Sequence, residues 1–117
     1  MPPSPDKRAL GRLAEDDALA YLLLQGLTLV ARNVLCKGGE LDLIMRDGKS
    51  IVFIEVRQRA SKDFGGALAS ITPTKQRRMT RAAQTWLLTQ KSTPPCRFDA
   101  VVIDGGCVEW LKNILDM

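Results

Sequence analysis

Carboxylates and an arginine stand inside a hairpin that should otherwise be apolar. Residues 40–46 and 50–57 read as two strands, and they carry Glu40, Asp42, Glu55 and Arg57 among Leu, Ile, Val and Phe. The second strand is apolar on both faces and therefore reads as central. Charges there are costly unless they are paired or bound to something. Side chains alternate along a strand, so Glu55 and Arg57 share a face with Ile51 and Phe53. Asp47-Gly48 is a strong turn signal. If these are the two loop residues, Ile44 faces Ile51 and Asp42 faces Phe53. Asp42 is then the diagonal neighbour of Glu55, roughly 7–8 Å away between backbones, and Glu40 falls directly opposite Glu55. A slip of one residue would carry Asp42 to the other face. Three carboxylates on one face repel, and a divalent cation with oxygen ligands is the simplest remedy.

The same residues carry a resemblance. Gly39-Glu40-Leu41-Asp42-Leu43-Ile44, followed by Phe53-Ile54-Glu55-Val56-Arg57-Gln58-Arg59, resembles the YraN-like family of small bacterial proteins. Three further stretches fit it in order: Gly11-Arg12-Leu13-Ala14-Glu15 with Ala18 and Tyr21-Leu22; Gly26 through Ala31-Arg32-Asn33; and Ile71-Thr72-Pro73-Thr74-Lys75-Gln76-Arg77-Arg78 with Arg97-Phe98-Asp99. That family is similar in fold to the restriction-endonuclease-like nucleases of the PD-(D/E)xK type, including archaeal Holliday-junction resolvases. The resemblance implies that Asp42 holds the aspartate position of the motif, Glu55 the (D/E) position and Arg57 the lysine position. Glu15 matches the helix glutamate of the resolvase-like branch, which implies that it leans over the sheet toward Asp42 and Glu55. Mg²⁺ or Mn²⁺ would be held by Asp42, Glu55 and, by analogy, the main-chain carbonyl of Val56. Two departures stand out. Ala14 replaces a glycine usual before Glu15, and Arg57 replaces the lysine of active nucleases. Lysine can orient or deprotonate water, whereas arginine keeps its proton and supplies charge alone.

Two helices and the remaining strands must position these groups. The spacing of Leu10, Leu13, Ala14, Ala18, Tyr21 and Leu22 predicts a helix over 5–25, with Gly26 as its C-cap. Residues 27–36 read as a strand and Lys37-Gly38-Gly39 as a turn. Residues 59–70 read as a loop with Arg59, Lys62 and a Gly65-Gly66 pair. Thr72 as N-cap and Pro73 at the first helical position start a second helix. Its apolar face is Met79, Ala82, Ala83, Trp86 and Leu87. Arg77, Arg78 and Arg81 lie mostly away from that face, as a solvated surface or a phosphate-binding stripe. Phase puts Lys75 on the core side, where it must snorkel or reach a carboxylate. Residues 97–104 and 107–111 read as a strand and a short final strand, with Trp110 at an edge. The order αβββαββ predicts one α/β domain over 1–117, a restriction-endonuclease-like mixed sheet of about five strands flanked by two main helices.

Composition narrows the chemistry. The chain has 117 residues, 45% of them apolar, and no histidine, which removes histidine general-base chemistry and most zinc sites. Cys36, Cys96 and Cys107 have no CxxC spacing and read as thiols in a reducing cytoplasm. The net charge of +4 is compatible with nucleic acid, and 5% aromatics argue against a base-stacking platform. No stretch reads as a signal peptide or membrane span.

Three functions follow as expectations. The first is a metal-dependent nuclease acting on structured DNA or RNA, with Asp42 and Glu55 as ligands, Arg57 as a fixed cation and Glu15 positioning water. Arg32, Arg59, Lys75 and Arg78 would grip phosphates. The second is a nucleic-acid-binding protein of the same fold without turnover. The third is a protein-interaction domain whose Glu40, Glu55, Arg57 and Arg59 form a cross-strand charge ladder. Resolvase-like enzymes act as dimers, so a homodimer is also in view, although no stretch reads as a dimer face.

Overall fold

The computed structural model describes residues 7–58, 71–104 and 107–115. The elements are α1 (Lys7–Leu24), β1 (Thr28–Cys36), β2 (Gly39–Asp47), β3 (Ser50–Gln58), α2 (Pro73–Leu87), β4 (Cys96–Asp104) and β5 (Cys107–Leu115). This is the expected order αβββαββ. One sheet runs β1-β2-β3-β4-β5. The β3–β4 pair is parallel and the other three pairs are antiparallel. A parallel pair needs a long crossover, and α2 lies within that connection. The expected restriction-endonuclease-like mixed sheet with two helices is therefore the fold observed.

Each helix covers one face of the sheet. Ala14, Ala18 and Leu22 of α1 pack on Leu43, Met45, Val52, Ile54 and Val101. Met79, Ala82 and Ala83 of α2 pack on Ile44, Ile51, Phe53, Phe98 and Ala100. Covering on both faces explains why β3 and β4 read as apolar runs rather than alternating ones. The ends of the helices follow the sequence. Leu27 N–H donates to the Leu22 carbonyl at 3.1 Å across Gly26, whose φ is 96°. That closes α1 by the six-to-one bond that glycine permits. Thr72 accepts from Lys75 N–H at 3.2 Å and caps α2.

Two expectations are corrected. The hairpin pairs Asp47 with Ser50 and Arg46 with Ile51, so Gly48 and Lys49, not Asp47 and Gly48, form its loop. Gly48 has φ 61° and Lys49 is not left-handed. Glycine at the first loop position suits a II′ turn, whereas the I′ turn favoured by Asp-Gly needs positive φ at both positions. The final strand extends to Leu115 rather than stopping at Leu111. Its register shifts between Phe98 and Ala100, and Asn113, at φ 57°, absorbs the excess. Among the described residues no helix is long and apolar enough to cross a membrane. The predicted 59–70 loop, with Arg59 and Lys62, lies outside the described residues.

Candidate active site

The corrected register brings Asp42 and Glu55 together. The β2–β3 ladder runs to Leu43–Ile54, and Asp42 and Glu55 are the next two positions. They are therefore direct neighbours on the α2 face, rather than diagonal ones, and Glu40 no longer falls opposite Glu55. The expected shared face is kept because the pairing moves by two residues, not one. The N–H of Val56 donates to Asp42 Oδ2 at 2.9 Å. A strand residue projects its N–H and C=O to the same side, so the carbonyl of Val56 points toward the same edge.

Helix α2 completes the site. Lys75 reaches inward, as its helical phase requires, and its Nζ lies 2.5 Å from Glu55 Oε1. Arg57 Nη1 lies 3.7 Å from the same oxygen. Asp42, Glu55, Glu40, Lys75 and Arg78 line one pocket of about 470 Å³ with Gly39 and Met79. Gly39 reads in sequence as a turn residue, but its place has a second reason. A Cβ there would sit 2.4 Å from the carbonyl oxygen of Arg78. Glycine thus lets the start of β2 approach the backbone of α2 and draws the pocket walls together.

Burial and like charge meet at Asp42. Glu55 is only 3% exposed. The carboxyl of Asp42 is pushed up to about 7, first by burial and then by the charge of Glu55. The Val56 N–H and Lys75 pull it the other way without cancelling the shift. A proton therefore remains on Asp42 near neutrality, where a hard divalent cation would relieve the same repulsion. Among the described residues no group of three Asp, Glu or Cys side chains converges as a metal site. Two carboxylates and one carbonyl still suit Mg²⁺ or Mn²⁺, because Mg²⁺ retains several waters and takes few protein ligands. The donors present fit the ion.

The remaining predicted residues are distributed differently. Glu15 belongs to α1, whose neighbours Ala14 and Ala18 pack on the opposite face of the sheet. It does not line the pocket. Arg32 Nη2 lies 3.9 Å from Glu15 Oε1 and 2.8 Å from Asp16 Oδ1. Burial and the charge of Asp42 raise the pKa of Glu15, so it senses the pocket electrostatically. Arg32 pairs with Leu43 on β2 and so faces α1, apart from Lys75 and Arg78. Arg59 lies outside the described residues.

One buried acid was singled out by no chemical argument from the sequence. Asp99 is fully buried and accepts from Arg97 Nε at 3.1 Å, Trp110 Nε1 at 2.9 Å and Asn113 N–H at 2.8 Å. Arg97 also reaches Asp47 Oδ2 at 2.9 Å. Every donor here is structural, and together they fix the irregular end of β5. The available signal was an aspartate in the apolar run of β4, followed by Ala100-Val101-Val102-Ile103.

Comparison with known proteins matches this sequence to a family. Residues 14–103 match the model of the uncharacterised protein family UPF0102. A UPF0102 protein of Cupriavidus metallidurans is 58% identical over 108 residues, covering 92% of this chain and 81% of the relative. One of Herminiimonas arsenicoxydans is 50% identical over 114 residues, covering 97% of this chain and 92% of the relative. One of Dechloromonas aromatica is 56% identical over 105 residues, covering 90% of this chain and 87% of the relative.

Proposed function

The chain belongs to the UPF0102, YraN-like family, and from its pocket we propose a metal-dependent nuclease acting on phosphodiester bonds of structured DNA or RNA. The observation that carries this reading is the contact of half-buried Asp42 with buried Glu55, with Asp42 pushed up to about 7 beside Lys75. A half-buried carboxylate set against a buried one is an expensive way to build a fold. The pair is an economical way to bind a hard cation. Mg²⁺ or Mn²⁺ held there would polarise a phosphoryl oxygen and make a bound water more acidic. Asp42, Glu55 and the Val56 carbonyl would hold it. Arg57, which cannot give up its proton, stabilises charge on the scissile phosphate. Lys75 balances Glu55 in the resting protein, and Arg78, exposed at the pocket rim, orients the phosphate backbone.

A second reading has its own support. Arg57 occupies the lysine position, and Lys75 already neutralises Glu55, as suits a nucleic-acid-binding protein without turnover. A cross-strand charge ladder for protein interaction accounts for Arg57 and Glu55 but leaves the like-charged Asp42–Glu55 contact without a purpose. A cytoplasmic setting fits the lack of a disulfide among Cys36, Cys96 and Cys107. The deciding experiment is Mn²⁺-dependent cleavage of a labelled four-way junction, flap duplex and RNA hairpin by wild type and Asp42→Asn. Cleavage lost in the variant supports the nuclease. Salt-dependent binding without products supports the second reading.

A further inference from the structure

Helix α2 carries Lys75, Arg77, Arg78 and Arg81, and no carboxylate, in its fifteen residues. Of these four, only Lys75 has an ion-pair partner among the described residues. The other three arginines are exposed. Lys75 lies in the first turn, near the positive end of the helix dipole, where added positive charge is unfavourable, and Glu55 offsets it. Arg81 stands three residues from Arg78 and four from Arg77, like-charge spacings that are unfavourable on a helix, and an anionic partner would offset them.

The shape of the surface says which partner. α2 stands between two hollows. The carboxylate pocket, about 470 Å³, lies along the flank of Lys75 and Arg78. A second hollow of about 670 Å³ lies along the other flank, lined by Arg77, Arg81, Thr80 and Gln84 over Ile114 and Leu115 of β5. Among the described residues no carboxylate lines this second hollow. The exposed crest between them is Thr74, Arg77, Arg78, Arg81 and Gln84. A helix with its side chains is about 10–12 Å across, and the major groove of B-form DNA is about 12 Å wide and admits one. The groove of A-form RNA is deep and too narrow for this. The crest has no aromatic residue on which unpaired bases could stack.

We infer that α2 is a ridge that enters the major groove of duplex DNA, with Arg77 and Arg81 gripping one phosphate backbone while Lys75 and Arg78 face the other. This rests on the nucleic-acid part of the proposed function and narrows it to B-form duplex. Arg77 and Arg81 stand four residues apart, about 6 Å along the helix, and meet one strand in succession. No base-reading role is assigned to the crest; its contacts are to phosphate, so binding is insensitive to sequence and sensitive to salt.

The test is equilibrium binding, without divalent metal, of a DNA duplex and an RNA duplex of the same sequence. Wild type, Asp42→Asn and the double variant Arg77→Gln/Arg81→Gln are compared. Arg12→Gln/Lys49→Gln, which removes two exposed charges elsewhere, is the control. Retained circular dichroism and cooperative urea unfolding show that all are folded. The ridge predicts that DNA binds more tightly than RNA. It also predicts that the slope of log affinity against log salt falls by about two in the arginine variant and not in the control, since each phosphate contact contributes about 0.9. An equal slope in both double variants overturns it, as does equal binding of RNA or equal competition by polyglutamate. Mn²⁺-dependent cleavage with an unchanged arginine slope would remove the ridge and keep the nuclease. A lowered arginine slope without cleavage by wild type would do the reverse.

Discussion

Gly39→Ala should open the pocket without touching a charged residue. An added Cβ would lie 2.4 Å from the Arg78 carbonyl oxygen and 3.0 Å from its carbonyl carbon, where ordinary contact begins at 3.4 Å. The backbones must separate by about 1 Å, since 3.4 less 2.4 is 1.0. Neither is the movable end of a side chain, and α2 is anchored behind this contact by buried Met79, Ala82 and Ala83. Overpacking of this kind costs about 1–3 kcal/mol. Urea unfolding followed by tryptophan fluorescence measures it, and Mn²⁺ affinity and duplex affinity report the widened pocket. Gly11→Ala is the contrasting variant. Nothing lies within 4 Å of its added Cβ, and it sits inside α1, so it gains about 0.5–1 kcal/mol. If Gly39→Ala keeps the wild-type midpoint and Mn²⁺ affinity, the close approach of β2 to α2 is not what shapes the site.

Two further substitutions probe the buried acids. The carboxyl of Asp42 is raised to about 7 from 3.8, so the folded state holds its proton more tightly than the unfolded chain. Its contribution to stability is full below pH 4, falls as pH rises to about 7, and stays lost above that. Asp42→Asn should therefore flatten this fall and gain roughly 2–4 kcal/mol at pH 8 in metal-free buffer, read from urea midpoints at pH 5 and pH 8. An unchanged midpoint difference between the two pH values would show that Asp42 is not strained by Glu55. Asp99→Ala strands Arg97, Trp110 Nε1 and Asn113 N–H. It should cost about 3–5 kcal/mol while leaving Mn²⁺ affinity of the folded fraction intact; a loss below 1 kcal/mol would mean that the end of β5 is held by packing alone.

The sequence was most informative where local rules and burial agreed. Thr72-Pro73 and Gly26 mark helix ends through their own backbone chemistry, and both stand where expected. The apolar runs of β3 and β4 announce central strands, and both faces are covered. Register was harder. Asp-Gly favours one turn, but the hairpin uses Gly48 as its first loop residue, and only packing of both faces decides between the two. The error exchanged a diagonal Asp42–Glu55 relation for a direct one and removed Glu40 from opposition. Lys75 was legible by phase because a lysine on the core side has few destinations. Asp99 gave little chemical signal because its partners, Trp110 and Asn113, come from β5, whose irregular end depends on that aspartate. The Gly39 contact with Arg78 is a tertiary approach that no spacing rule contains.

The measurement that tests the pocket most directly is titration of Mn²⁺ into wild type, Asp42→Asn and Glu55→Gln, followed by calorimetry and then by cleavage of the labelled junction, flap and hairpin. Wild type should show one site and release of a proton on binding near pH 7, and either variant should lose both the site and cleavage. Mn²⁺ binding unaltered by both substitutions, or none in wild type, would contradict it and leave Asp42 and Glu55 as structural acids balanced by Lys75 and Arg57.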